Sequence, residues 1–265
     1  MALSKDDKNR IVEVIKVCLR SKFENYKPET DNMPFHYRLL GKDRMALFSF
    51  IQSLNTTFGA SIYEPVALEL ARPTFKEVHC QYELGKTITS GAQNEIQKIM
   101  NNLSVGGDVN KKEETEQIRN AAQKGKQNSL RSVKVDLFLI SKSNEVFMFD
   151  LKTVKPNKGD FISYKRNMLE WLAIYFFKNP QAKVNTLISI PYNPYEPEPY
   201  KRWTMKGMLD LKNEVKVADE FWDFLAGKGT YNELLDCFET AGIELRPEID
   251  NYFSKFNNSF GKRGS

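Results

Sequence analysis

Histidine and cysteine are scarce in this chain, and their scarcity narrows its chemistry. His36 and His79 are the two histidines among 265 residues. They leave little room for a multi-histidine metal centre or for serine–histidine hydrolysis, and each reads more simply as a packing or surface residue. Cys18, Cys80 and Cys237 are odd in number and far apart. They fit neither zinc spacing nor a disulfide framework, so a reducing cytoplasm is the expected setting. No apolar run approaches the ~20 residues of a membrane helix. The polar start, Met1–Asp7, shows no signal peptide, and no internal repeat is evident.

Excess charge of one sign is also small. The net charge is +5, from 39 basic and 34 acidic residues, which is a mild lean toward polyanionic partners. Hydrophobic residues make up 41% and aromatics 12%, enough for a sizeable core, so global disorder is excluded.

What is present centres on two acids and a lysine. Asp136 opens the apolar run Leu137–Ile140, a polar break follows at Ser141–Asn144, and Val146–Phe149 leads into Asp150. Two short apolar runs around a polar break predict a β-hairpin. Its antiparallel return brings Asp136 and Asp150 side by side. Lys152, two residues beyond Asp150, points to the same sheet face. Asp and Lys are also ordinary at strand ends, and D-x-K alone is a weak signal. Two carboxylates and an ammonium at one point suit metal-assisted attack on a phosphodiester. Mg²⁺ takes one or two carboxylates plus phosphate and water, and a lysine beside it can position the water.

The flanking segments predict the surroundings. Ile11–Leu19 and residues 43–57 read as amphipathic helices, the first capped within Ser4–Asp7 and the second broken at Thr57–Ser61. Pro65 suits the first turn of a further helix, with Glu64 at its entrance. Glu64 and Glu69 lie about 140° apart on such a helix. They cannot both face one metal, and Glu64 is the one aimed at the site. Residues from about 87 to 128 read as a polar helical insertion, including a polar helix or arm over Lys111–Lys126. Beside it, Lys124, Lys126, Gln127, Asn128 and Arg131 are candidate DNA contacts. After Lys152 come the basic loop residues Lys155 and Lys158, then an aromatic helix from Phe161 to Phe176 that packs on the sheet. Val184–Ile190 reads as a third, buried strand reached by a parallel crossover. The four prolines of residues 191–203 predict an extended segment. It carries Asn193, Tyr195, Tyr200, Lys201, Arg202 and Trp203, types that contact phosphates, stack or read bases. Helices over 220–225, 231–238 and about 249–256 complete the chain. The expected fold is α/β, a central mixed β-sheet with helices on both faces. Residues 1–256 form one nuclease domain with a helical N-terminal part, and 257–265 a flexible tail.

With these residues in hand, the chain resembles the PD-(D/E)xK nuclease superfamily and, more narrowly, type II restriction endonucleases of the TdeIII-like family. The resemblance is carried by Gly59–Pro65 (GASIYEP), Lys134–Phe138 (KVDLF), Phe149–Lys152 (FDLK), Tyr192–Tyr195 (YNPY) and Tyr200–Trp203 (YKRW). It implies that Asp136 and Asp150 are the motif acids and Lys152 the motif lysine. Glu64 matches the helix glutamate of such sites and would be a further metal ligand. Val135 stands where the motif's proline would be. The resemblance also implies Mg²⁺-dependent cleavage of double-stranded DNA to 5′-phosphate ends, a homodimer, a GGNCC-type site and a cognate DNA methyltransferase in the host. A structure-directed repair or junction-resolving nuclease, and a catalytically silent DNA-binding protein on the same fold, stand as alternatives.

Overall fold

The expected hairpin forms around a four-residue turn. Ser141 N–H donates to Glu145 O at 2.9 Å, Asn144 N–H donates to Ser141 O at 2.9 Å, and Asn144 adopts φ +60°. Asn tolerates this left-handed conformation better than most residues. The flanking runs become β2 (Gln127–Ile140) and β3 (Val146–Leu151). The computed structural model describes residues 3–28, 33–152, 158–200, 205 and 207–256. Among these, β1 (Glu77–Thr89), β4 (Val184–Ile190) and β5 (Val215–Val217) complete one sheet of order β1-β2-β3-β4-β5. The β1–β2 and β2–β3 pairs are antiparallel, and β3–β4 and β4–β5 are parallel. The sheet is therefore mixed, as expected.

Helices are named in chain order: α1 (Lys5–Asn25), α2 (Pro34–Leu40), α3 (Lys42–Phe58), α4 (Glu64–Ala71), α5 (Ser90–Ser104), α6 (Lys111–Ala121), α7 (Lys158–Lys178), α8 (Asp219–Ala226), α9 (Thr230–Glu244) and α10 (Arg246–Ser254). Two compact units divide them, Met1–Val66 with Gly229–Ser265, and Ala67–Lys228.

In the first unit, Ser4 and Asp7 form a reciprocal capping box that starts α1. Phe23 of α1, Phe50 of α3 and Tyr252 of α10 meet at centroid distances of 4.7–5.5 Å. The expected break at Thr57–Ser61 does not occur. Gly59 keeps right-handed helical angles, and a π-turn over Gly59–Tyr63 leads from α3 straight into α4. A widened turn absorbs the glycine without ending the helix.

The second unit holds the whole sheet. Phe138 of β2 faces Tyr175 of α7, 6.0 Å between rings. On the other face, Phe149 and Phe147 of β3 meet Phe221 and Phe224 of α8 at 5.4 and 5.0 Å. Period-two alternation thus turns Phe138 of β2 toward α7 and Phe147 and Phe149 of β3 toward α8. Sequence had offered no strand over 77–89, yet β1 is 13 residues long. Its register with β2 shifts around Gly85. A Cβ built there would lie 3.1 Å from Ile174 Cγ2, so the glycine admits α7 close to the strand. Both ends of the supposed helical stretch 87–128 are strand: Thr87–Thr89 pair with Ser129–Gln127. Between them, α5 is capped by Thr89 and α6 by Asn110.

Candidate active site

Register delivers the acids to one point. Leu137 pairs with Phe149 and Phe138 with Met148, so the next step sets Asp136 opposite Asp150 across β2 and β3. Asp136 lies within hydrogen-bonding reach of Asp150. Its two oxygens receive different donors. Leu151 N–H donates to Oδ2 at 2.9 Å, and Gln81 Nε2–H donates to Oδ1 at 3.2 Å. Lys152 Nζ sits 2.5 Å from Asp150 Oδ1 and 4.9 Å from the centre of the Tyr164 ring. The Lys152 backbone N–H donates to Ser189 O at 3.0 Å, which ties the lysine to β4 just beyond the end of β3. The three residues singled out from sequence do converge.

The site is graded from dry to wet. Asp150 is 4% exposed, Asp136 and Lys152 are half-buried, and Gln81 is exposed. Burial pushes the Asp150 carboxyl up, Lys152 pulls it back, and the neighbouring Asp136 pushes it up again, leaving it at about 7. Burial, with Asp160 and Asp150 nearby, raises the Tyr164 hydroxyl to about 12, so its ring stays neutral beneath the lysine. Two adjacent carboxyl groups, one of them desolvated and raised to about 7, form an oxygen donor set that a hard divalent cation would relieve. Within this unit, among the described residues, no third His, Cys, Asp or Glu completes a cage. Such a pair suits a cation that keeps water and takes phosphate oxygens as its remaining ligands.

The other sequence candidates fall in several places. Glu64 opens α4 in the first unit and is 4% exposed. Glu69 is held by Arg72 at 2.7 Å. Lys124, Lys126, Gln127, Asn128 and Arg131 are exposed, and the last three lie on the first half of β2 rather than on a helix or arm. Asn128 donates to Gln93 Oε1 at 2.6 Å. Lys158 begins α7, and its side chain lies outside the described atoms. Lys155, Lys201, Arg202 and Trp203 lie outside the described residues.

The described part of the proline-rich segment, residues 191–200, is turned, not extended. Asn193 Nδ2–H donates to Glu198 O at 2.7 Å, Tyr195 N–H donates to Asn193 Oδ1 at 3.0 Å, and Glu198 N–H donates to Tyr195 O at 2.8 Å. The Asn193 side chain closes the turn on itself and so serves the loop's shape. Tyr195 and Tyr200 face each other at 5.8 Å. Lys165 of α7 is fully buried and pairs with Glu114 and Glu214.

Two site residues escape sequence reading. Tyr164 was visible only as one member of an apolar stripe. Gln81 lies in a strand that the sequence did not announce.

Comparisons with known proteins place the chain in a family. A family model for the HinfI type II restriction endonucleases matches residues 3–242, across both units. The type II restriction enzyme MjaII of Methanocaldococcus jannaschii is 30% identical over 292 residues, covering 97% of this chain and 75% of the relative. HgiCII and HgiEI of Herpetosiphon aurantiacus, also type II restriction enzymes, are each 25% identical and share 83% of this chain with 81% and 80% of their own. The HinfI match and these relatives bear out the resemblance to type II restriction endonucleases. Membership selects the site-specific reading over junction resolution and silent binding. The chain belongs to the HinfI type II restriction endonucleases, site-specific deoxyribonucleases that act on double-stranded DNA with a divalent metal cofactor.

Proposed function

We propose that this chain is a Mg²⁺-dependent endonuclease that cuts both DNA strands at a short near-palindromic site of the GGNCC type and leaves 5′-phosphate ends. The observation that carries the reading is the Asp136–Asp150 pair with Lys152 Nζ 2.5 Å from Asp150. Asp136 and Asp150 would hold the cation, and Glu64 is assigned as a further carboxylate on the strength of the resemblance. When bound, the cation supplies Lewis acidity at the phosphoryl oxygen and lowers the pKa of its water. Lys152, between the buried acid and the Tyr164 face, orients the attacking water and offsets charge developing on the phosphoryl oxygens. GGNCC rests on the resemblance to the TdeIII-like family.

Duplex contact is assigned to Lys126, Gln127, Asn128 and Arg131, to Lys155 and Lys158, which follow Lys152 in sequence, and to Asn193, Tyr195, Tyr200, Lys201 and Arg202, which follow β4 in sequence. Exposure of the first group supports phosphate contact. Asn193 would act by shaping its turn. A twofold homodimer matches a near-palindromic site, a cytoplasmic setting gives access to incoming DNA, and a methyltransferase acting on the same sequence would protect the host.

Lys152→Ala tests the assignment. Cleavage should fall by about 10²–10⁴-fold, the range for losing a positioned proton-transfer group. Binding of the same duplex in Ca²⁺ should stay within a few-fold. Full cleavage by Lys152→Ala would sink the site assignment.

A further inference from the structure

Gln81 occupies an unusual position. Its φ is +52°, in the left-handed region, in the middle of β1. A residue with a Cβ is disfavoured there, and such conformations gather at functional sites. The register of β1 with β2 is unbroken around it: Cys80 pairs with Leu137 and Tyr82 with Val135, so Gln81 sits opposite Asp136. Gln81, Asp136 and Asp150 therefore form one row across three adjoining strands.

The left-handed residue also changes which side chains reach that face. In a regular strand, residues 79 and 81 share a face and residue 82 turns away. Here the His79 and Tyr82 rings both pack against Phe138, at 6.3 and 4.1 Å, while Gln81 reaches Asp136. Phe138 lies two residues along β2 from Asp136, so the ring stack borders the acid row.

We infer that Gln81 is a positioning residue for the metal site. Its side-chain amide holds Asp136 Oδ1 while the Leu151 N–H holds Oδ2. With a donor on each oxygen, the carboxylate plane is fixed before any cation arrives, and each oxygen keeps lone-pair capacity for one. Groups that orient a metal-binding carboxylate typically change metal affinity by about 10–100-fold when removed. The inference rests on the proposed reading of Asp136 as a ligand.

The test is Mn²⁺ binding to the full chain, read from the EPR signal of the free ion, together with the thermal midpoint in EDTA. Four proteins are compared: the natural chain, Gln81→Met, Gln81→Gly and Asp136→Asn. Methionine keeps the length without the amide, and glycine removes the amide while accepting the left-handed backbone. Both Gln81 variants should bind Mn²⁺ about 10–100-fold more weakly, with the glycine variant's midpoint equal to or above that of the natural chain. Unchanged Mn²⁺ affinity in both, with affinity lost in Asp136→Asn, would overturn the role of Gln81 alone. Unchanged affinity in Asp136→Asn would overturn the reading beneath it. A loss in Gln81→Met that Gln81→Gly restores would make Gln81 a backbone element only. If Gln81→Met does not fold, the glycine variant decides.

Discussion

At the residue scale, Asp150 carries the pH dependence. Its carboxyl moves from a usual value of 3.8 to about 7 in the fold, chiefly through burial. The folded chain thus holds a proton that the unfolded chain releases. That contribution to stability is complete below about pH 4 and is lost as pH rises through about 7. In EDTA, the thermal midpoint should therefore fall across that window. Asp150→Asn should remove this component, and a divalent cation should recover the midpoint most above pH 7, where the acid is ionised. A natural-chain midpoint that rises across the window, with Asp150→Asn showing no difference, would refute the assignment.

At the element scale, α6, α7, β4 and the segment before β5 are joined by a buried charge network. Lys165 of α7 pairs with Glu114 of α6 and with Glu214 at 2.9 Å. Lys111 pairs with Glu214 at 3.0 Å and also donates to Thr186 Oγ1 of β4. Burial pushes Glu214 up, but Lys111 and Lys165 outweigh it and hold the carboxyl below its usual range. Two lysines and two glutamates balance in number. Removing one member strands a charge, so Glu214→Ala should lower unfolding free energy by about 3–5 kcal/mol, measured by urea denaturation. A loss below about 1 kcal/mol, the size of a surface pair, would show the network to be hydrated.

Legibility followed local pattern. The β2–β3 hairpin and its acids were readable because two apolar runs flank a polar turn and D-x-K follows at once. β4 and α7 announced themselves by continuous burial and an aromatic stripe. β1 did not: its first seven residues alternate only between exposed and half-buried, and Gln81 and Gly85 interrupt the regular geometry. Without β1, Gln81 had no visible relation to Asp136. The burial of Lys165 was not legible, because a sequence gives its charge but not the Glu114 and Glu214 that receive it. The turn after β4 was misjudged because four prolines suggest extension, while the Asn193 cross-bond folds the segment back.

At the scale of the whole molecule, affinity for DNA should come mainly from phosphate contacts, given a charge of only +5 spread over the chain. Lys126→Ala and Arg131→Ala should weaken duplex binding and each lower the slope of log affinity against log salt by about 1. An unchanged slope in both would move the duplex away from the first half of β2. The central claim is that the acid pair and Lys152 serve a site-specific, metal-dependent endonuclease. Its most direct test is incubation of unmethylated plasmid and phage DNA with Mg²⁺ or with EDTA, followed by sequencing of the ends. Discrete fragments are expected in Mg²⁺ only, all sharing one terminal sequence and carrying 5′-phosphates. A smear without a shared end, or equal cleavage in EDTA, would contradict it.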